Sequence, residues 1–274
     1  MRIEQYPTIK IALSESPAGA SLKSIYRWSG NGFRNGESDN DWTRILGATA
    51  QDFTHGEMMY HIARDFSERE FVFTGKQEKT FLNGVIGHDW GEVIIDKNGI
   101  GDISAQVKTI AHENQEYLVF KNVIKSLKLG RSIKKDLVDG YEQTVVGGDP
   151  VLNHAFKALE TTEYVITAMK AFQNCKKYDI DLPTLAPLVG RVLTINLSKI
   201  LDNYVDKYQH SIGLLFRNSA KLIDEMYEFS RPWLIANMEW YGKAVDHPAL
   251  AVAFEEKWNN FKTKNHISAL KVEL

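Results

Sequence analysis

The stretch Phe81-Leu-Asn-Gly-Val-Ile-Gly-His-Asp-Trp-Gly-Glu-Val-Ile94 sets Phe81, Leu82, Val85, Ile86, Trp90, Val93 and Ile94 at helical spacing and predicts a helix over 79–95. Gly84 and Gly87 each weaken such a helix by up to ~1 kcal/mol, so their presence implies close approach by another element. His88 and Asp89 sit within the apolar run. A buried carboxylate is costly unless it is paired, hydrogen-bonded or bound to a metal. Imidazole nitrogen beside carboxylate oxygen suits a divalent first-row transition metal. Neighbours on one helix project about 100° apart, so both reach one ion only at a seam between helices. Further ligands must then come from elsewhere in the chain. Taken alone, the dipeptide is weak evidence for a metal and is more readily read as a satisfied polar pair.

Outward from this stretch the same periodicity recurs. Met58, Met59, Ile62, Ala63 and Phe66 predict a helix over 54–66, with Thr54 and Glu57 as a capping box. Helices are also expected over 104–129 and 150–174. After Leu182-Pro-Thr-Leu-Ala-Pro187, the positions Val189, Val192, Leu193, Leu197, Ile200, Leu201 and Tyr204 mark another, followed by 211–230, 232–245 and 248–262. Ile9, Ile11 and Leu13 alternate, which reads as a strand or extended arm. The turn-rich stretch from Ser29 to Asp41 is a connector or a ligand-facing flap. The expected fold is all-α.

Composition narrows the function. The 274 residues are 43% hydrophobic and 25% charged, enough to bury a sizeable core, and the net charge of -2 argues against a dedicated nucleic-acid binder or a membrane-surface protein. No apolar run approaches the ~20 residues that span a bilayer, and Met1 to Pro7 lacks a signal-peptide core. The single cysteine, Cys175, excludes an intrachain disulfide and reads as a buried thiol in a reducing compartment. A cytoplasmic protein is expected. Lys121, Lys125, Lys128, Lys134 and Lys135 read as a solvated face.

Three residues raise the weight of the His-Asp pair. Glu92 lies four positions after His88, on the same helical face, where a carboxylate serves as a general base. His55 opens the earlier helix, a position suited to an inter-helix seam. Glu160 lies on the apolar helix 150–174 beside Phe156, Leu159 and Tyr164.

His55…His88-Asp89…acidic resembles the H…HD…D signature of the HD superfamily of metal-dependent phosphohydrolases. His88-Asp-Trp-Gly-Glu92 followed by Gly101-Asp102-Ile103 looks like the HDxxE…GD segment of its 5′-deoxynucleotidase branch. Arg27-Trp28, Phe53-Thr-His55-Gly-Glu-Met-Met-Tyr-His-Ile-Ala63, Gln115-Glu-Tyr117 and Lys157-Ala-Leu-Glu-Thr-Thr-Glu163 look like further segments of that branch. The resemblance covers roughly residues 20–175. It implies an HD-domain helical bundle there, with 176–274 as a helical extension packed on the core or forming a subunit interface in a homo-oligomer.

Carried over, the resemblance makes His55, His88 and Asp89 metal ligands, with Glu160 where the family has its final aspartate. Glu92 and Asp102 become catalytic acids, Arg27 the phosphate holder and Trp28 the nucleoside contact. The implied cofactor is a divalent ion (cobalt, manganese, zinc, iron or magnesium) and the implied substrate a nucleotide. A nucleoside 5′-monophosphate comes first, with a (d)NTP phosphohydrolase or a degenerate nucleotide-binding protein as alternatives. Two departures stand out: glutamate at 160, and Asp96-Lys-Asn-Gly-Ile100, which reads as an insertion and makes Asp96 a rival to Asp102. His61 is a rival first ligand better read as a packed or partly exposed histidine. His112 is the residue a dinuclear site or an HD-fold oxygenase would need.

Overall fold

The computed structural model describes residues 5–23, 45–46, 51–92, 110–182, 184–237 and 245–267, except the side chains of 52 and 110–113. The architecture is all-α, with no strand among the described residues. The chain forms two compact units, one comprising Met1–Ser67 and Val72–Lys157, the other Glu68–Phe71 and Ala158–Leu274.

In the first unit the expected N-terminal strand or arm is two helices, α1 (Tyr6–Ser14) and α2 (Pro17–Leu22). The reason is the burial pattern. Ile9 and Leu13, four residues apart, are buried, whereas Ile11 is 58% exposed, so the apparent alternation is one side of a helix. The Ser16 hydroxyl accepts from the Gly19 N–H and starts α2.

α3 (Asp52–Glu70) begins before the expected cap. The His55 N–H already bonds the Gln51 carbonyl at 3.0 Å, and the Thr54 hydroxyl donates to that same oxygen. Thr54 is therefore a first-turn residue, and it forms no capping box with Glu57. The capping box lies one helix later. Thr74 and Gln77 exchange side-chain and backbone hydrogen bonds at the start of α4 (Gly75–Ile86).

α4 ends sooner than expected. From Gly87 to Glu92 the chain runs through successive turns, with Trp90 N–H on the Gly87 carbonyl and Glu92 N–H on the Asp89 carbonyl. His88 and Asp89 thus leave the helix end instead of lying inside a helix.

α5 (Ile110–Ser126), α6 (Arg131–Thr144) and α7 (Pro150–Tyr178) follow. α4 crosses α6 where Gly84 meets Gly140: a Cβ on Gly84 would stand 2.5 Å from the Gly140 carbonyl oxygen, and one on Gly140 2.7 Å from the Gly84 nitrogen. The close approach implied by the glycines is real. Around it Ile86, Trp90, Phe120, Leu137 and Tyr141 share one apolar cluster with Ile9, Leu13 and Leu22, and the Phe120 and Tyr141 rings stack at 4.1 Å. Lys125, Lys128 and Lys135 are exposed, and Lys121 and Lys134 partly so.

The second unit takes the later part of α7. α8 (Leu185–Arg191), a π-helical segment (Val192–Leu197) and α9 (Ser198–Asn203) together make the long helix expected there. A second π-helical segment (Gln209–Gly213) leads into α10 (Leu214–Asn218), α11 (Ala220–Ile235) and α12 (His247–Lys264). α11 runs through Pro232, where a break was expected. The proline lacks the N–H that would bond the Glu228 carbonyl, yet the helix continues beyond it to Ile235. α8 and α12 each pack on α11. Trp258 and Phe261 are buried with rings 5.2 Å apart, as an aromatic core extension requires, while Trp240 and Tyr241 lie outside the described residues. Cys175 is buried. Among the described residues no helix is long and apolar enough to cross a membrane.

Candidate metal centre

Three of the expected ligands meet in the first unit. His55 comes from the first turn of α3, while His88 and Asp89 come from the turn that leaves α4. Both histidines are buried and Asp89 is partly so; one ligand atom from each of the three lies within 4.8 Å of the others. The His55 Nε2 is 3.2 Å and the His88 Nε2 3.1 Å from the Asp89 Oδ2. The two imidazoles meet edge to face with centroids 5.2 Å apart, and Phe156 of α7 packs edge-on against His88 at 5.6 Å.

One hydrogen bond fixes the chemistry of His88. Its Nδ1 is 2.7 Å from the Val85 carbonyl oxygen. A carbonyl only accepts, so Nδ1 carries the proton, and a neutral His88 aims a bare Nε2 lone pair at Asp89. Two acceptors at 3.1 Å repel unless a cation lies between them, either a second ring proton or a metal ion. Burial by itself would push the Asp89 carboxyl up. The charge on His88 and hydrogen bonds from both imidazoles outweigh it, holding the carboxyl well below the usual carboxylate range.

The donor set fits a transition metal. Ions with bonds of about 2.0–2.1 Å hold neighbouring ligand atoms about 3.0–3.4 Å apart, the separations seen around Asp89 Oδ2. A ligating histidine whose other nitrogen donates to a backbone carbonyl is the usual outer-shell arrangement of such sites.

Backbone packing places the turn. A Cβ on Gly91 would lie 2.4 Å from the Glu116 carbonyl oxygen, so α5 presses directly on the segment between Asp89 and Glu92. Glu116 itself is 7% exposed, a buried carboxylate beside the ligand turn that sequence reading did not single out. Its signal was present. Glu116, Val119, Phe120 and Val123 follow helical spacing, which puts the acid on the apolar face of α5.

The remaining candidates fall elsewhere. Glu92 is half-buried, at the end of the turn that begins with His88. Glu160 is half-buried on α7 within the second unit, where its charge joins burial in raising the Tyr204 hydroxyl pKa. His61 is exposed, its ring edge-on to Tyr6 and Tyr60, and it is no part of the converging group. Arg27, Trp28, Asp96 and Asp102 lie outside the described residues, as does the His112 side chain. Comparison with protein-family models, curated proteins and solved structures returns no match for this chain.

Proposed function

We propose that the protein is a metal-dependent phosphohydrolase acting on nucleotides, with a nucleoside 5′-monophosphate as the favoured substrate. The observation that carries this reading is the convergence of His55, His88 and Asp89, with His88 oriented by the Val85 carbonyl. His55, His88 and Asp89 would hold the ion. A bound divalent ion lowers the pKa of a ligated water and polarises a phosphoryl oxygen. Glu92, three residues beyond Asp89, or Asp102 would take the proton of the attacking water. Arg27 binds the phosphate through its forked donors and Trp28 packs on the nucleoside.

The test is metal analysis of purified protein, followed by phosphate release from mono-, di- and triphosphates with added Mn²⁺ or Co²⁺. Bound transition metal and release of phosphate from monophosphates, both lost in His88→Ala and Asp89→Ala, are the expected results. Turnover of dNTPs alone would transfer the assignment to a triphosphohydrolase. Metal-free protein, inert across the panel, would refute hydrolysis and leave a nucleotide-binding module.

A further inference from the structure

The second unit holds an open cavity of about 880 Å³ between the end of α7, connector residues 180–182, α11 and α12. That is the size range of small-molecule sites. Its apolar walls are mainly aromatic: Phe172 and Phe229 meet at 5.3 Å, and Tyr227, Phe254 and Trp258 continue the surface. Phe229 is 43% exposed, so its ring is open to a ligand along this wall.

The charged groups around this wall are unbalanced, with five carboxylates against two ammonium groups. Both ammonium groups are engaged: Lys176 bonds Glu225 at 2.8 Å and Lys262 bonds Asp224 at 3.0 Å. Glu255 accepts from the Tyr227 hydroxyl at 2.6 Å and faces the Arg231 Nε at 3.4 Å. Asp181 on the connector and Glu228 on α11 remain, and among the described residues no cation pairs with either. An anionic ligand would meet net negative charge with no cation available. A bare metal ion would leave the aromatic surface unused.

We propose that this cavity binds a small amphipathic organic cation. Its apolar ring or chain would lie against Phe229 and the adjoining aromatic wall, and its ammonium group would sit at the open carboxylates of Asp181 and Glu228, because the faces of Phe172 and Trp258 already hold Lys176 at 5.4 Å and Lys262 at 5.9 Å. Aromatic π-faces and carboxylates are the two protein surfaces that attract an ammonium ion, and here both line one cavity. The site is separate from the His55–His88–Asp89 cluster and rests on different residues, so its failure would leave the metal assignment standing.

The experiment titrates full-length protein at low ionic strength with 1-naphthylmethylammonium, comparing the isosteric 1-naphthylmethanol and the anion 1-naphthylacetate. Ligand-observed saturation-transfer NMR and calorimetry report binding. The cation should bind at least about tenfold more tightly than the anion, and added salt should weaken it. Asp181→Asn with Glu228→Gln should weaken it about three- to tenfold, as should Phe229→Ala, because charge and aromatic surface each supply part of the affinity. Glu256→Gln, an exposed charge change on α12 outside the cavity, should not. The positions changed at the carboxylates are exposed, so these variants fold. Equal affinity for all three ligands, cation affinity undiminished in the double variant, or absence of saturation transfer at millimolar ligand would each overturn the proposal.

Discussion

Gly84→Ala puts one methyl group into the tightest helix crossing of the first unit. The added carbon would stand 2.5 Å from the Gly140 carbonyl oxygen and 2.6 Å from the Thr144 Cβ, where ordinary contact begins near 3.4 Å. One of these neighbours is backbone, so a rotamer change cannot relieve the clash, and α4 and α6 must move apart. Overpacking of this kind costs about 1–3 kcal/mol. Alanine's better helix propensity returns about 1 kcal/mol of that. A net loss of up to about 2 kcal/mol is therefore expected in urea unfolding, read as a lower midpoint at unchanged slope. Gly75→Ala is the matched control: it lies on the same helix with nothing within 4 Å of its Cβ, and should be neutral or stabilising by about 0.4–1 kcal/mol. Because α4 delivers His88 and Asp89, Gly84→Ala should also weaken metal binding, whereas Gly75→Ala should not. Stability of Gly84→Ala equal to that of Gly75→Ala would refute the close crossing.

Three further outcomes are expected. Asp89→Asn gives the bare His88 Nε2 a donor in place of an opposing acceptor. The metal-free variant should unfold no earlier than the parent, while the parent alone gains about 2.7 kcal/mol from metal at a hundredfold excess over Kd, both read by thermal unfolding. His247 is 1% exposed beside Trp233, with neither ring nitrogen hydrogen-bonded among the described residues, and burial first, then Arg191, lowers its pKa against the opposing Asp246. A lowered folded pKa means that the unfolded chain binds the proton more readily. Stability is then full above about pH 6.5 and falls as the pH drops below it, and His247→Phe should flatten that fall in denaturant titrations at stepped pH. Asp224→Ala should cost about 1–3 kcal/mol in the same assay, because it strips the acceptor from the buried Trp258 indole N–H (2.7 Å) and from Lys262, whereas Asp224→Asn should cost less.

Helical periodicity was a sound guide wherever one face of an element is buried. It located α3, α7 and the run from Leu185 to Asn203, and the convergence of His55, His88 and Asp89 matches the group singled out from the sequence. It failed at ends. Val93 and Ile94 extended the apolar face of α4 on paper, but the helix ends at Ile86 and the chain runs through turns from Gly87 to Glu92, an exit that periodicity does not register. At the N-terminus, Ile9, Ile11 and Leu13 fit a two-residue alternation as well as a helix, and only burial separates the two. Glu116 was overlooked because an acid in an apolar stripe shows its role only once Gly91 is seen against its backbone. The His88 tautomer was beyond reach for the same reason: it is set by a main-chain carbonyl, which no side-chain pattern reports.

That carbonyl has a second duty. The Val85 oxygen is one of the acceptors that the last turn of α4 leaves open, and it also receives the Gly87 N–H, so the ligand histidine closes the helix that presents it. On the proposed metal reading, affinity for the ion and fraying of the final turn of α4 would be thermodynamically linked. Amide exchange at Val85 to His88 should slow as metal is titrated in, and agents that promote fraying there should release the ion before the unit unfolds.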